Sequence, residues 1–483
     1  MEATTQKRPR ISKKAQKNLE EKRDPLTSLP EPLLHHILSY LTMKDVIRTS
    51  VLAKRWRYMW LYVPCLEFSP MKMSRSKEVA FINQSLLLHK GPAIQKFSLT
   101  FLHADAETHH VDSWIYFAKT RNVDELNLDF PPPSACYRLP HFLFSSTSLT
   151  VLSLVGCEIH FPVKFKLSSL KTLSLEQVYF SGGEINDLTA STPILESLSL
   201  TDCQGFADLY VYVPSWSKIK TIKIHESDQG SSNSVLSIFA DYIASFELVT
   251  SMSRGSYFID GMKSLESASF GCNKVNWGQY EAHKEDTVFE ILDSVCHAKY
   301  LRLCSCYIQA LCCNEEQSQN GLSFDATCLE IRTDLTKGDL PGISYMLGHS
   351  PNIKTLIINI DKIHAKSFSN NSEEGKYWKL QEPNFVDLLC NLKDVKIYNF
   401  MKNLESKQMS TTEDFLAHLQ NDMNFLRFLL ENSKVMERMT ITTFKNVKFG
   451  RHSESKKFKL LFQLTQELLA FPRASQAAQI SFN

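Results

Sequence analysis

Cys296, Cys304, Cys306, Cys312 and Cys313 crowd one short stretch of the chain, and thiolates at that density are natural zinc ligands. Their spacing contains no Cys-x-x-Cys pair. Cys304 and Cys306, two apart in what reads as a strand, would share one face. Buried free thiols, which behave as small apolar side chains, are the better expectation. His103, Asp105, Glu107, His109 and His110 form a second donor-rich stretch, on a segment that reads as an exposed loop, and no metal is expected there either. Nucleophile and phosphate signatures are absent: there is no P-loop, no GxSxG, no HExxH, no EF-hand loop and no GxGxxG after a strand. A cysteine or histidine without a supporting base packs more often than it reacts. The chain is therefore expected to be no enzyme and to need no cofactor.

The elements that would have to position such side chains repeat themselves. IQKFSLTF from Ile94, VDELNLDF from Val123, LTVLSLVGC from Leu149, LKTLSLEQV from Leu170, LESLSLTDC from Leu195, IKTIKIHES from Ile219, IASFELVTS from Ile243 and LESASFGCN from Leu265 carry apolar residues at alternate positions. That is the period of a half-buried strand. Their starts fall roughly 21 to 29 residues apart, the interval of a leucine-rich repeat. Runs from Tyr300, Cys328, Ile353 and Leu392 continue the theme with looser spacing. One strand and its return cannot bury an apolar side alone, whereas stacked units build a parallel sheet over a continuous core. Residues between the buried ones, among them Ser153, Ser174, Ser199 and Lys223, then face outward and form a candidate recognition surface; a one-residue slip would reverse them. Cys157, Cys203 and Cys272 follow repeat strands by one or two residues, where such repeats turn inward, and read as core thiols. Pro131, Pro132, Pro133, Pro140, Pro162, Pro193 and Pro214 lie in the return segments, so the convex side is expected to be irregular rather than built of long helices.

Ahead of the repeats, Asp24 to Phe68 is dense in apolar and aromatic residues. Leu33, Leu34, Ile37, Leu38 and Leu41 recur at three- and four-residue spacing and predict one broad apolar stripe on a helix. Pro30 and Pro32 suit a first helical turn, where the missing N–H has no partner anyway, so the helix should begin near Glu31. Thr42 with Asp45 predicts a variant capping box opening a second helix. A third should begin near Lys54 and set Trp56 and Trp60 on one face. Roughly 45 residues bury too little to offset chain entropy comfortably, so this module wants a partner.

These residues resemble the F-box family, in Leu29-Pro30, Ile37-Leu38-Ser39, Ser50-Val51-Leu52 and Lys54-Arg55-Trp56. Glu31 stands where aspartate is usual, and Ala53 replaces a small hydroxyl residue. The resemblance implies docking onto a Skp-type adaptor and, through it, a cullin scaffold carrying the ubiquitin-transferring machinery. It implies adaptor contacts at Leu29, Pro30, Leu33, Ile37, Leu38, Leu41, Val51, Leu52 and Trp56. At the other end, the strand Leu392–Ile397, the helix bearing Phe425 to Asn432, the strand Met436–Ile441, the helix marked by Phe458, Leu461, Leu464 and Leu468, and Arg473-Ala474-Ser475 before a short strand at Gln479 to Phe482 resemble the FBD domain of plant F-box proteins with leucine-rich repeats. Its expected role is to cap the bare edge of the repeat sheet.

The expected fold is thus α/β: a three-helix F-box at 24–70, an irregular leucine-rich-repeat solenoid with a curved parallel sheet at 71–380, and an α+β FBD cap at 381–483. Residues 1–23 form a basic tail, eight Lys or Arg against three Glu, with too little apolar surface to fold. Lys7, Arg8, Arg10, Lys13 and Lys14 within it match a nuclear-import address. Net charge for the whole chain is only +2, which argues against nucleic acid or an anionic membrane as principal partner. No apolar run approaches the ~20 residues that span a bilayer, and no secretory core follows the basic start. The expected location is nucleus or cytoplasm, with the twelve cysteines as free thiols and Asn370 of Asn370-Asn371-Ser372 unglycosylated. The expected function is substrate recognition for a Skp-cullin-F-box ubiquitin ligase, the repeats gripping an unknown target protein. A receptor for a small signalling molecule and a repeat scaffold outside any ligase are the alternatives.

Overall fold

Pro30 fixes where the first helix begins: it is the N-cap, Pro32 occupies the first turn, and the helix runs Glu31–Leu38. In the computed structural model the described residues are 29–104, 106–131, 137–162, 166–182, 185–227, 234–272, 283–311, 322–336, 338–361, 378, 389–402, 412–444 and 453–483. The basic tail with Lys7, Arg8, Arg10, Lys13 and Lys14, the residues Asp105, Pro132, Pro133, Cys312 and Cys313, and Asn370-Asn371-Ser372 lie outside them. The chain divides into two compact units, Met1–Gly182 and Gly183–Asn483.

In the first unit, Leu34 and Leu38 form the buried i, i+4 pair of the opening helix. A short second helix, Met43–Arg48, buries Met43 and Val46. Thr42 is its N-cap, but the Thr42 hydroxyl donates to Asp45 Oδ2 at 3.2 Å instead of accepting a backbone N–H, so the expected capping box does not form. The third helix departs from expectation. It is a 3₁₀ helix, Trp56–Tyr62, and with three residues per turn it places Trp56 and Met59 inward together rather than Trp56 and Trp60.

Strand Cys65–Phe68 follows at once and pairs in parallel with Lys96–Thr100, so the helical module runs directly into the first strand of the repeat sheet. Glu125–Asp129, Val151–Val155 and Thr172–Glu176 continue the ladder. Two rows cross it inward, Leu66–Phe97–Leu126–Leu152–Leu173 and Phe68–Leu99–Leu128–Leu154–Leu175, all buried. The first two returns are helical, Arg75–Leu88 and Thr108–Thr120; Pro70 and Pro92 lie outside the first helix and the second return has no proline. Where proline intervenes they become a 3₁₀ turn, His141–Ser145, after Pro140, and a second parallel sheet of Tyr137–Arg138, Cys157–His160 and Tyr179–Gly182. Gly156 links the two kinds of strand at φ +67°, and a Cβ there would stand 2.1 Å from Phe130 O, which only glycine avoids.

The second unit continues the same logic. Parallel strands Ser197–Thr201, Thr221–Glu226, Ser245–Thr250, Ser267–Gly271, Tyr300–Cys304, Cys328–Thr333, Thr355–Ile360, Asp394–Phe400, Arg438–Thr443 and Gln479–Phe482 pair in sequence order. Leu209–Val213, Val235–Ala240 and Ser256–Gly261 form a second parallel sheet. At the C-terminal end, helices Thr412–Asn432 and Ser453–Ala470 alternate with the last strands, and Gln479–Phe482 is the edge of the sheet. Arg473-Ala474-Ser475 stitches this end together: Ala474 N–H donates to Leu430 O at 2.9 Å, Ser475 Oγ to Met436 O at 2.7 Å, and Arg473 Nη1 to Ala478 O at 2.9 Å.

Helices Ser305–Ala310 and Leu340–Gly348 approach most closely at Gly342, where a Cβ would lie 1.9 Å from Ile308 O. Gly342→Ala is expected to force these helices apart and cost about 1–3 kcal/mol, read as a lower melting temperature; an unchanged melt would refute the contact.

Candidate functional site

An i, i+4 pattern on a short helix yields two rows, and the structure sorts them. Leu34 and Leu38 point into the module, while Leu33 and Ile37, one residue earlier in each case, are 49% and 38% exposed. Val51 and Leu52, at the end of the second helical stretch, are 84% and 68% exposed. Leu29 and Leu41 are half-buried and Pro30 is exposed. Of the residues expected to contact an adaptor, Leu38 and Trp56 are instead interior, 0% and 4% exposed. They build the module rather than its docking face, because helix and 3₁₀ segment need a common core. Tyr40, Tyr58 and Tyr62 are exposed in the same module and escaped the sequence reading. Their signal is type more than spacing, since tyrosine offers apolar area with a wet end and is favoured at interfaces. Exposed leucine, isoleucine and valine concentrated in so few residues mark a contact surface.

The second surface is the outward face of the repeat strands. Ser153 and Ser174 are register partners with Asn127 in the first unit, and Ser199 and Lys223 partner Glu247 in the second. Ser153, Ser174 and Ser199 are half-buried and Lys223 is exposed, between fully buried neighbours. The second-unit row continues Ser269, Arg302, Glu330, Ile357, Lys396, Thr440, Ser481. Charges on it pair across strands: Lys223 lies 3.4 Å from Glu247, and Arg302 lies 2.9 Å from Glu330. Tyr300 also donates to Glu330; burial, then that hydrogen bond, pushes its hydroxyl pKa up. At the strand ends Arg332 and Lys402 converge on Asp361 at 2.9 and 2.7 Å. Burial opposes ionisation there, but the two cations hold the Asp361 carboxyl below its ordinary range. Two small polar cavities are a ≈ 250 Å³ one lined by Lys299, Asp325, Thr327, Asn352, Lys354 and Asn391, and a ≈ 180 Å³ one beside Asp202, Glu226 and Arg254.

The donor-rich stretches resolve differently from expectation. His103 and His109 are exposed and His110 is half-buried, but His109 and His110 sit in the helix Thr108–Thr120 rather than a loop. His110 stacks on Trp114, and Arg75 holds Glu107 at 3.1 Å. Cys157 is buried, whereas Cys203 and Cys272 are only half-buried. Cys304 ends a strand and Cys306 begins a helix, so they share no strand face. Among the described residues one metal-capable group appears, Cys272, Cys304 and Cys306, with their sulfur atoms within 4.8 Å of one another.

Beside it lies a carboxyl pair, Asp339 buried and Asp334 half-buried. Asp339 accepts from Ser305, from Gln309 Nε2 at 2.8 Å and from Thr333 Oγ1 at 2.8 Å. Burial, then the charge of Asp339, pushes the Asp334 carboxyl up to about 8. The protonated acid is thus favoured in the folded chain, so stability from this group is complete below its unfolded value near 3.8 and declines as pH rises toward 8. Asp334→Asn is expected to flatten that decline, measured as melting temperature against pH between 4 and 8; parallel profiles for the two proteins would exclude it.

Comparison with known proteins agrees with this architecture. The description "At1g61320/AtMIF1, LRR domain" matches residues 86–479, and the F-box domain matches residues 26–68. The chain is 29% identical over 478 residues to the FBD-associated F-box protein At5g56370 of Arabidopsis thaliana, covering 95% of this chain and 100% of that protein. It is 31% identical to the putative F-box protein At1g49610 of the same plant, over 72% of this chain and 86% of the relative. To the F-box/FBD/LRR-repeat protein At1g13570 it is 26% identical, over 96% and 99%. With an F-box match at residues 26–68, a leucine-rich-repeat match over residues 86–479 and relatives of this kind in one plant, the chain belongs to the plant family of F-box proteins with leucine-rich repeats.

Proposed function

We propose that this chain is the substrate-recognition subunit of a Skp-cullin-F-box ubiquitin ligase. The observation that carries the reading is the exposure of Leu33, Ile37, Val51 and Leu52 within the matched F-box. Covered by a Skp-type adaptor, these side chains leave water, while the cullin stays out of contact with this chain. The outward strand row takes the target protein. The chain performs no bond chemistry; it raises the effective concentration of a target lysine beside the charged ubiquitin carrier. A protein target is favoured because the outward strand row is a long surface of paired charges and half-buried polar side chains rather than a single pocket. The basic run Lys7, Arg8, Arg10, Lys13 and Lys14 serves nuclear entry, and alanine at all five positions should move a fluorescent fusion to the cytoplasm.

The test is reconstitution. The full chain, a Skp-type adaptor and a cullin should co-elute in size-exclusion chromatography, and proteins captured by the chain should accumulate when cullin activity is blocked. An adaptor eluting separately would end this assignment, and captured proteins turning over normally would reduce the chain to a scaffold.

A further inference from the structure

Cys272 is the residue immediately after strand Ser267–Gly271, and the neighbouring strand Tyr300–Cys304 runs beside it in register from Ser267–Tyr300 to Phe270–Leu303. That register brings the end of one repeat strand against the end of the next, although their cysteines are 32 residues apart. Cys272 Sγ lies 2.7 Å from Cys304 Sγ. Cys306, two residues on, turns its sulfur into the same space, so all three sulfurs lie within 4.8 Å of one another. Cys304 and Cys306 are buried, among Phe270, Leu303 and Tyr307, which are buried too.

We propose that Cys272, Cys304 and Cys306 form a binding site for a thiophilic closed-shell cation, Zn²⁺ or Cu⁺, that ties two adjacent repeats together. Zinc–thiolate bonds of about 2.3 Å place sulfurs sharing one centre roughly 3.8–4.0 Å apart. Cys272 and Cys304 sulfurs stand 2.7 Å apart and all three sulfurs lie within 4.8 Å of one another, so rotations of the side chains that open the first pair would bring the trio to that spacing. An all-sulfur donor set selects soft ions and rejects magnesium or calcium. Three thiolates satisfy Cu⁺; Cys272 is only half-buried, which gives solvent access for the fourth ligand of Zn²⁺.

The protons are accounted for as well. Each cysteine must bind as its thiolate, so an ion entering the site displaces whatever thiol protons the three sulfurs carry. Binding must therefore tighten as pH rises.

The full chain, purified reduced and without chelator, should carry about one equivalent of zinc or copper by elemental analysis. Stripped and titrated with Co²⁺ as the zinc probe, it should develop a near-ultraviolet sulfur-to-cobalt band that Zn²⁺ abolishes; Cu⁺ under anaerobic conditions forms the second arm. Cys272→Ser, Cys304→Ser and Cys306→Ser should each weaken binding by ~10-fold or more, while Cys157→Ser leaves it unchanged. Should a serine variant fold poorly, the unmodified chain still decides: Zn²⁺ or Cu⁺ should slow alkylation of Cys272 relative to the exposed Cys390. Absence of metal, band and protection would overturn the proposal.

Discussion

Leu33→Asp combined with Ile37→Asp is expected to weaken capture of a Skp-type adaptor by about 100-fold or more while leaving the melting curve of the chain in place. Both side chains are partly solvent-facing in the free chain, unlike Leu34 and Leu38, so a carboxylate there costs far less in folding than one in the inner row. Each would leave water on adaptor binding, and an apolar anchor of this size contributes roughly 1.5–3 kcal/mol, with a buried carboxylate adding a desolvation penalty on top. Leu38→Asp is the informative contrast. Its side chain is fully buried between the module's helices, so the same change should unfold the module and abolish adaptor binding only as a consequence. Titration calorimetry together with thermal melting separates the two outcomes. Equal loss of stability in both variants would show that the helix does not divide into an inner and an outer row, and undiminished binding by the double variant would remove the docking face altogether.

How far the sequence reveals this arrangement differs from element to element. All twelve repeat runs from Ile94 to Leu392 contain a strand, because alternation of buried and exposed side chains is a local property that survives any detail of the return segments. Cys65–Phe68 is a repeat strand as well, but four residues at the end of an aromatic-rich helical stretch carry too short an alternation to stand out. The second sheets were hidden for a different reason. Leu209–Val213 alternates as cleanly as any repeat strand, yet it belongs to another sheet, and period alone does not say which sheet a strand joins. In the F-box, periodicity marks Leu33, Leu34, Ile37 and Leu38 as apolar without telling which pair faces the module; only the positions of Met43, Val46 and Trp56 settle that. The thiol cluster depends on register in the same way. Cys272 and Cys304 both end LxxLxL-like runs, but their meeting follows from the pairing of Phe270 with Leu303, which no spacing rule supplies.

Arg254 was equally invisible in the sequence, and its replacement should produce the largest loss of stability. Its guanidinium holds both Glu226 oxygens, at 2.7 to 3.2 Å, and donates to Ala207 O at 2.9 Å and Val235 O at 3.3 Å. The side chains of Arg254 and Glu226 are only 6% and 14% exposed, so the pair joins the repeat strand Thr221–Glu226 to the second sheet at Val235 through nearly dry contacts. Taking away the cation leaves a carboxylate desolvated and unpaired, which costs about 3–5 kcal/mol. Arg254→Met should therefore lower the melting temperature by roughly 10 °C. Arg254→Met with Glu226→Leu should recover most of it, since a buried ion pair exchanged for apolar side chains of similar volume is close to neutral. Added salt should change neither result, because the pair lies out of reach of the screening ions. The exposed bridge Lys393–Glu437, 51% and 59% exposed, supplies the reference: Lys393→Met should leave the melt where it is. If Arg254→Met behaved like Lys393→Met, the link between the two sheets would rest on apolar packing alone. If instead the double variant stayed as unstable as Arg254→Met, the lost bonds to Ala207 O and Val235 O, not the stranded Glu226 charge, would account for the damage.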